Sequence, residues 1–444
     1  QDQRGRIQLG DDGRATFQDD NLTLIVTTNS GNGGVDIINL VSGVNTVIGG
    51  KDGDEITAGS GRNTVLGDDG EATFQDDNLT RIVTTNSGNG GIDVIKLEDG
   101  TNRVIGGAKG DLISVGAGNN VILGDEGEGT FADGQPQRIA SLNPTIGGID
   151  TITLTGGYSI VVGGAYGDII HALPEAGDPQ PEMVTWGDCA ELLFHPNGQL
   201  ADGHTIAPTV GGSDDIIAAD GDDVIIGGVE SDTVNWNLVS SARIGSNAGD
   251  DVIAGDSGTV QFDANGSLLL VESTYPEIGK KDYLYAGEGS DVVIGAFGPD
   301  YINASDSPGT DHNDDVVIGD IGYATFGPAQ VGPAEIGSPE SGLGYRDSVL
   351  LKVKTTNPQI GDEDYILTTE GDDVVFGGFA DDYINTYDTI PGADFVVGDN
   401  GEANFDLFGV ITDITTTDPL YAGDDVIRTG EGPDTVLGGT GKDN

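Results

Sequence analysis

Residues 31–66 read GNGGVDIIN LVSGVNTVI GGKDGDEIT AGSGRNTVL, which is four consecutive units of nine residues. Each unit opens with small turn-forming residues, its sixth residue is Asp or Asn, and its eighth is Ile or Val. Glycine permits the positive φ angles of tight turns, and an aliphatic residue at a fixed offset after a turn is typical of a short strand. No helical 3.6-residue period of useful length occurs. The stretch therefore predicts an all-β fold of short, regularly spaced strands.

A longer repeat encloses these units. Residues 10–40 and 67–97 are nearly identical, and both open with the motif GDDG. Weaker copies of this opening begin at Gly124, Gly187, Gly255, Gly319 and Gly398. The chain is thus predicted to be an array of repeat modules at 1–66, 67–123, 124–186, 187–254, 255–318, 319–397 and 398–444, the last one partial.

One stretch per module interrupts the nine-residue units, and ATFQDDNLTRIVTT at residues 72–85 is an example. Its β-branched and aromatic residues flank a polar QDDN, a pattern that favours a β-hairpin. Insertions at one point of each repeat usually project from one face of a solenoid. We therefore expect hairpin-like insertions along one face.

The chain is extremely acidic: 75 Asp and Glu residues against 18 Lys and Arg give 444 residues a net charge of −57. Such charge opposes compaction and excludes nucleic acid as a partner, because two polyanions repel. No apolar run of 18 residues predicts insertion into a membrane, and a single cysteine, Cys189, excludes an intrachain disulfide. Multivalent cations are the expected partners.

The nine-residue units resemble the RTX nonapeptide G-G-x-G-x-D-x-U-x, in which U is a large apolar residue. The nearest matches are AGEGSDVVI at 286–294, TGEGPDTVL at 429–437 and GGTGKD at 438–443, whereas GGKDGDEIT at 49–57 lacks the fourth glycine. The resemblance implies a right-handed parallel β-roll, or β-solenoid, with two units per coil and the shape of an elongated rod. It also implies several Ca²⁺ ions between the turns of successive coils. Calcium takes six to eight oxygen ligands, which carboxylates and glycine-turn carbonyls supply.

Residues 18 positions apart stack at the same edge of such a roll, so the sixth residues of alternate units are candidate calcium ligands. In a first phase these are the pairs Asp36 and Asp54, Asp93 and Asp111, Asp150 and Asp168, Asp214 and Asp232, Asp282 and Asp300, Asp364 and Asp382, and Asp425 and Asp443. The alternative is that some of them only form turns, which Asp favours without metal.

The second phase changes along the chain. Early units carry Asn45, Asn63, Asn102 and Asn120, which we expect to pair with one another and with the turn backbone. Later units carry the candidate calcium ligands Asp223, Asp251, Asp291, Asp315, Asp373, Asp394 and Asp434. We expect calcium along one edge in residues 31–130 and along both edges beyond about residue 214.

The Asp of each GD motif is a further candidate. We expect Asp68 to replace the missing sixth-position Asp of the next coil and to share an ion with Asp54. Asp125 would do the same with Asp111. The alternative is an Asp that caps the bend into the insertion.

The leading functional interpretation is a non-catalytic calcium-binding structural protein, because no catalytic motif is found. It would be an extracellular fibre, stalk or adhesin segment of a larger secreted or cell-surface protein that folds on binding calcium. Its expected protein partners are copies of itself or neighbouring filaments, end to end or side by side. Two alternatives remain open: the calcium-dependent tail of a secreted toxin or hydrolase, and a surface-recognition array for glycan, ice or a neighbouring filament.

Overall fold

The computed structural model describes residues 5–174, 181–218, 220–235, 248–305, 313–328, 344–345, 348–387 and 391–444. These residues form strands and turns and no α-helix, which confirms the all-β prediction. It follows that no apolar helix capable of crossing a bilayer is found in these ranges.

The chain divides into two compact units. Unit 1 comprises Gln1–Gln199 and Thr205–Ala219, and unit 2 comprises Leu200–His204 and Asp220–Asn444. The strands of unit 1 are β1 (Arg6–Leu9), β2 (Gly13–Gln18), β3 (Asn21–Thr27), β4 (Ile37–Leu40), β5 (Gly43–Ile48), β6 (Glu55–Ala58), β7 (Gly61–Leu66), β8 (Gly70–Gln75), β9 (Asn78–Thr84), β10 (Val94–Leu97), β11 (Gly100–Ile105), β12 (Leu112–Val115), β13 (Gly118–Leu123), β14 (Gly127–Ala132), β15 (Gln135–Ser141), β16 (Thr151–Leu154), β17 (Gly157–Gly164), β18 (Ile169–Ala172), β19 (Pro181–Asp188), β20 (Ala190–Phe194) and β22 (Asp215–Ile217).

The strands of unit 2 are β21 (Leu200–Thr205, of which Leu200–His204 belong to this unit), β23 (Val224–Gly228), β24 (Thr233–Val234), β25 (Val252–Asp256), β26 (Gly258–Phe262), β27 (Leu268–Ser273), β28 (Tyr283–Tyr285), β29 (Val292–Ile294), β30 (Tyr301–Ala304), β31 (Val316–Ile318), β32 (Gly322–Pro328), β33 (Gly344–Tyr345), β34 (Ser348–Thr355), β35 (Tyr365–Thr368), β36 (Val374–Gly378), β37 (Tyr383–Thr386), β38 (Phe395–Asp399), β39 (Gly401–Phe405), β40 (Ile411–Thr416), β41 (Val426–Thr429) and β42 (Thr435–Leu437).

Each unit contains two parallel sheets and one antiparallel sheet. In unit 1, sheet 1 has the order β1-β5-β7-β11-β13-β17-β19, and sheet 2 has the order β4-β6-β10-β12-β16-β18-β22. The hairpin sheet of unit 1 runs β2-β3-β8-β9-β14-β15-β20. In unit 2 the three orders are β23-β25-β29-β31-β36-β38-β42, β24-β28-β30-β35-β37-β41 and β21-β26-β27-β32-β34-β39-β40, with β33 beside β34. The chain alternates between sheets 1 and 2, and the two strands of each hairpin follow every second strand of sheet 1. This is the predicted parallel β-roll.

The register confirms two nine-residue units per coil. Within a module, Gly43 of β5 pairs with Gly61 of β7, so neighbouring strands of sheet 1 are 18 residues apart. Across an insertion, Glu55 of β6 pairs with Val94 of β10, a separation of 39 residues. The hairpin therefore leaves the coil and returns to it without disturbing the register of sheets 1 and 2.

The predicted hairpins do not project separately; they pair with one another. Ile25 of β3 lies opposite Ala72 of β8, and Ile82 of β9 lies opposite Gly129 of β14, both in antiparallel register. Between the end strands β2 and β40, hairpin edges are thus covered by neighbouring hairpins, which protects otherwise unpaired strands from association with other chains.

The hairpin sheet also explains how a glycine-rich acidic chain buries an apolar core. Val47 and Ile48 are consecutive in β5, so their side chains point to opposite faces of sheet 1, yet both are fully buried. A methyl group at Gly70 of the hairpin sheet would overlap the side chain of Leu66, so the hairpin sheet packs on sheet 1. Sheet 1 is therefore covered on both faces, and each fully buried Val, Leu or Ile contributes roughly 1.5–3 kcal/mol.

Candidate calcium-binding edges

The first-phase aspartates form a column in unit 1, one residue per coil. The backbone N–H of each Asp donates a hydrogen bond to carboxylate Oδ1 of the Asp in the next coil. The predicted pairs are neighbours in this column, with N–Oδ1 distances of 2.7 Å from Asp36 to Asp54, 2.8 Å from Asp93 to Asp111 and 2.7 Å from Asp150 to Asp168.

Unit 2 contains an equivalent column. The corresponding distances are 2.8 Å from Asp282 to Asp300, 2.9 Å from Asp364 to Asp382 and 3.2 Å from Asp425 to Asp443. The remaining predicted pair has its members in different units, Asp214 in unit 1 and Asp232 in unit 2.

The column also continues from each predicted pair to the next one. The sequence pattern had not predicted these links. In unit 1, Asp54, Asp111 and Asp168 donate their N–H groups to Asp93, Asp150 and Asp214, at 2.6, 2.6 and 2.5 Å. In unit 2, Asp232, Asp300 and Asp382 donate to Asp282, Asp364 and Asp425, at 2.7, 2.8 and 2.9 Å. The resumption of the nine-residue phase after each insertion was the signal for this continuity.

The expected position of Asp68 and Asp125 is therefore wrong. Asp93 lies in the coil after Asp54, and Asp150 lies in the coil after Asp111, so no position in the column is left for a GD aspartate. The reason is that the insertion loops out completely and does not take up a coil.

The GD aspartates instead connect turns through backbone hydrogen bonds. The Asp68 carboxylate accepts from Gly91 N at 3.0 Å and from Ala108 N at 2.5 Å. Equivalent pairs of hydrogen bonds are accepted by Asp125 from Gly148 and Ala165, by Asp320 from Asp362 and Phe379, and by Asp399 from Gly423 and Thr440. A role of Asp68 and Asp125 as calcium ligands stays a prediction.

The second phase differs between the units. In unit 1, Asn45 Nδ2 donates to Asn63 Oδ1 at 2.8 Å, Asn63 to Asn102 at 2.9 Å and Asn102 to Asn120 at 2.9 Å. Asn63 Nδ2 also donates to the turn carbonyl of Gly59 at 3.2 Å. This asparagine ladder confirms the expected pairing of stacked amides with each other and with the turn backbone.

In unit 2 the same phase is a second aspartate column. Its N–H to Oδ1 hydrogen bonds measure 2.8–3.3 Å and join Asp223, Asp251, Asp291, Asp315, Asp373, Asp394 and Asp434 in that order. Unit 2 thus presents two aspartate columns where unit 1 presents one.

The carboxylates of the columns are buried, apart from Asp36, Asp434 and Asp443 at column ends. Burial is the main cause that raises the pKa of Asp54, Asp93 and Asp425 to about 7 and that of Asp150 to about 8. Repulsion by neighbouring carboxylates adds to the rise, as Asp36 does for Asp54 and Asp399 for Asp425. Without a cation, these carboxylates are therefore only partly ionised at neutral pH, because bound protons relieve the repulsion between them.

One oxygen of many of these carboxylates has no hydrogen-bond partner. The residues whose Oδ2 is buried and unpartnered include Asp54, Asp93, Asp111, Asp150, Asp168, Asp282, Asp300, Asp364, Asp382 and Asp425. Leaving a buried acceptor unsatisfied costs about 1–3 kcal/mol, and more for a charged group. A cation is the partner that such a row of acceptors lacks.

Glycines bring backbone oxygens to the same place. A Cβ at Gly106 would overlap both Asp111 Oδ2 and the carbonyl oxygen of Gly124, and a Cβ at Gly124 would overlap Asp150 Oδ2. Only glycine leaves room for this close approach of a carbonyl and a carboxylate.

This donor set fits calcium, a hard cation that prefers carboxylate and carbonyl oxygens. The column aspartates and the glycine carbonyls beside them would hold it, and its charge would offset the repulsion between stacked carboxylates. Groups of three or more converging His, Cys, Asp or Glu side chains are not found among the described residues.

Comparison with known families agrees with this geometry. The RTX calcium-binding nonapeptide repeat (4 copies) matches residues 41–73, 97–131, 209–235, 279–304, 361–388 and 421–444. No curated protein and no solved structure matches the chain. Every matched segment contains at least one member of the aspartate columns, from Asp54 in the first to Asp443 in the last. The chain therefore contains several copies of the RTX calcium-binding nonapeptide repeat, and these repeats bind calcium ions at multiple sites.

Proposed function

We propose that this chain is a non-catalytic structural segment of a larger secreted or cell-surface protein, and that it serves as a stalk, fibre or adhesin spacer that stiffens when it binds calcium. The observation that carries this proposal is the set of continuous buried aspartate columns. Each coil contacts mainly its neighbours, so the design extends by simple repetition.

The aspartate columns make the folded state depend on calcium. Each ion that binds only the folded chain stabilises it by RT ln(1 + [Ca²⁺]/Kd), which is about 1.4 kcal/mol per site at ten times the dissociation constant. Without the ions, the repulsion between buried carboxylates remains. Folding is thereby coupled to the calcium concentration of the surroundings.

This dependence fits an extracellular location. RTX repeat proteins are typically secreted. Extracellular modules commonly use calcium sites with dissociation constants of about 10⁻⁴–10⁻³ M, which stay empty where calcium is scarce. The chain would remain loose before export and would fold outside the cell.

We propose a mechanical role for this chain. The aspartates of the columns, with Asp68 and Asp125, are the proposed calcium ligands. Copies of the same chain, end to end or side by side, are the proposed protein partners. An elongated rod stays a prediction, which small-angle scattering in calcium tests directly.

The deciding experiment follows folding and compactness against calcium. Chelated protein is examined by far-UV circular dichroism and sedimentation velocity, and calcium is then titrated back, with magnesium at equal ionic strength as the control. We expect a more expanded chain with a weaker β signal and a lower melting temperature in chelator, a return to compact, stable β structure with calcium, and little response to magnesium. An identical compact β spectrum and melting temperature in chelator and in calcium would remove calcium folding from the proposal.

A further inference from the structure

A cavity of about 420 Å³ lies in unit 1 between sheet 1 and the turns of two hairpins. Residues of sheet 1 form one wall, and Gly134 and Gly198 of the hairpin turns lie on the other. Its lining includes Arg62, Arg103, Asn119, Gln135, Tyr158 and Glu182. Two arginines in one cavity are unusual in a chain that has only 18 basic residues against 75 acidic ones.

Arg103 is the central side chain. It lies in β11, where the paired strands carry Thr64 and Val121 at the same position. Its side chain lies under the hairpin turn: Nη2 donates to the carbonyl oxygen of Gly134 at 2.7 Å, and the guanidinium carbon is 4.6 Å from the centre of the Phe131 ring.

These contacts leave part of the guanidinium unsatisfied. Arg103 is only 4% exposed, and its Nε and Nη1 are buried without an acceptor. Arginine carries five N–H donors and stays charged at neutral pH, so an acceptor is missing for a buried cation. A carboxylate or another oxyanion is the group that a guanidinium binds most strongly, through two parallel hydrogen bonds.

The second arginine reinforces this preference. The Arg62 side chain is exposed and lines the same cavity. Burial, and then the charge of Arg62, lowers the pKa of Arg103 to about 10. Within the described part of the chain neither arginine forms an ion pair, and two like charges that line one cavity attract an anion into it.

The remaining lining residues offer neutral hydrogen bonds and apolar surface. Asn119 and Gln135 carry amides, which both donate and accept, and Tyr158 adds an aromatic ring. Glu182 also lines the cavity, and its carboxylate limits how much negative charge a ligand can carry there. This combination suits a small molecule with one acidic group and several hydroxyl groups.

We propose that this cavity binds a small hydroxylated oxyanion of the acidic-sugar class, with its carboxylate at Arg103 and Arg62 and its hydroxyl groups at the amide side chains. The cavity lies against sheet 1 under the hairpins, and its key residues are not members of the aspartate columns. Anion binding therefore needs the folded repeat but uses none of the proposed calcium ligands.

The test uses the full chain in calcium at constant ionic strength. Sodium glucuronate is titrated by isothermal calorimetry and by saturation-transfer NMR, with glucose as the neutral probe and sodium sulfate as an oxyanion without hydroxyl-bearing carbons. We expect saturable binding of glucuronate, weaker binding of sulfate, and none of glucose.

Three variants locate the site: Arg103→Gln, Arg62→Gln and, as the matched control, Arg428→Gln in unit 2, where Arg428 lies over the Tyr383 ring. Because hydrogen bonds to charged groups are strong, Arg103→Gln should weaken glucuronate binding roughly tenfold or more, and Arg62→Gln a few-fold. Arg428→Gln should bind as the unchanged protein does. Circular dichroism checks the fold, and exposed Arg62 keeps the test valid if Arg103→Gln does not fold.

The proposal is overturned if glucuronate does not bind saturably, or if folded Arg62→Gln and Arg103→Gln bind it with unchanged affinity. Equal affinity for sulfate and glucuronate would overturn the acidic-sugar class. Neither result depends on the mechanical role proposed above.

Discussion

The same structural position is filled by asparagines in unit 1 and by aspartates in unit 2. In unit 1 the second phase begins with Asn45, Asn63, Asn102 and Asn120, whereas in unit 2 it runs from Asp223 to Asp434. The backbone arrangement is the same parallel stack of strands in both units. Comparing the two units therefore shows what happens when Asn is replaced by Asp along an edge of the roll whose backbone is the same.

The asparagine ladder is complete by itself. An amide has both donors and an acceptor, so Asn63 accepts from Asn45 and donates to Asn102 and to the Gly59 carbonyl. An ionised aspartate only accepts, so the aspartate column can be linked only through backbone N–H groups and accumulates negative charge. We infer that the asparagine edge is stable without metal and that the aspartate edges require cations.

Chelation of calcium should give the largest effect and should act unequally on the two units. Hydrogen exchange in chelator is expected to accelerate first in β29 and β31 of unit 2, which lie beside the second aspartate column. Strands β7 and β11 of unit 1, beside the asparagine ladder, should keep protection longer. Mass spectrometry of the exchanged peptides measures this, and equal loss in both pairs of strands would contradict the comparison.

The stability of the chelated chain should fall as pH rises. The folded pKa values of Asp54 and Asp93 are about 7, mainly because the groups are buried, whereas the ordinary value is 3.8. The folded state therefore holds these protons more tightly than the unfolded state. Their stabilising contribution is complete below about pH 4 and is lost as pH rises through about 7. Melting temperatures in chelator should be several degrees higher at pH 5 than at pH 8.

Calcium should reverse this trend, because it binds the ionised carboxylates. Asp93→Asn is the matched variant. It removes one carboxylate whose pKa is raised, so the melting temperature in chelator should depend less steeply on pH. The general repulsion of a chain with charge −57 is nearly unchanged by one substitution. A pH profile of Asp93→Asn identical to that of the parent would show that the buried column is not responsible.

Exchanging the two residue types should give opposite results in the two units. Asn63→Asp removes the donors to Asn102 and Gly59 and adds a buried charge, so it should destabilise the chelated protein by about 2–4 kcal/mol. Asp373→Asn should cost little or even stabilise in chelator, and should lower the number of bound calcium ions. Thermal unfolding with and without calcium, and calcium counting by mass spectrometry, check both. A chelated Asn63→Asp protein as stable as the parent would mean that the ladder contributes nothing.

The smallest expected difference concerns the outer face of sheet 2. In unit 2, Tyr365 stacks on Tyr301 and Tyr383 with ring centres 4.8 and 4.5 Å apart, whereas unit 1 carries Leu112 on the corresponding sheet. Stacked aromatic pairs contribute about 0.5–1.5 kcal/mol each beyond their buried area. Tyr365→Thr should therefore cost about 1–3 kcal/mol and Leu112→Thr about 1 kcal/mol or less. Each substitution should lower the free energy of unfolding by the same amount with and without calcium. Denaturant unfolding of both variants in calcium and in chelator measures this.

The sequence alone predicted the parts of the protein that repeat locally. The nine-residue period places an aliphatic residue inside each strand and an Asp or Asn at each turn, so strand spacing, the 18-residue coil and six neighbouring aspartate pairs followed from counting. The alternation of Asn45 with Asp54 likewise predicted one amide edge. These features depend on residues close in the chain, which is why periodicity reveals them.

The tertiary structure decided how distant segments meet. Hairpins of successive repeats pair with each other. In the aspartate column, Asp93 rather than Asp68 lies next to Asp54. The Asp68 carboxylate instead accepts hydrogen bonds from the backbone N–H groups of Gly91 and Ala108. Arg103 acquires a special environment only because a hairpin turn covers it with Gly134 and Phe131. These contacts cannot be predicted from a local sequence pattern. They form when the hairpin insertions fold back onto sheet 1, whose register is determined by the nine-residue units and not by the hairpins.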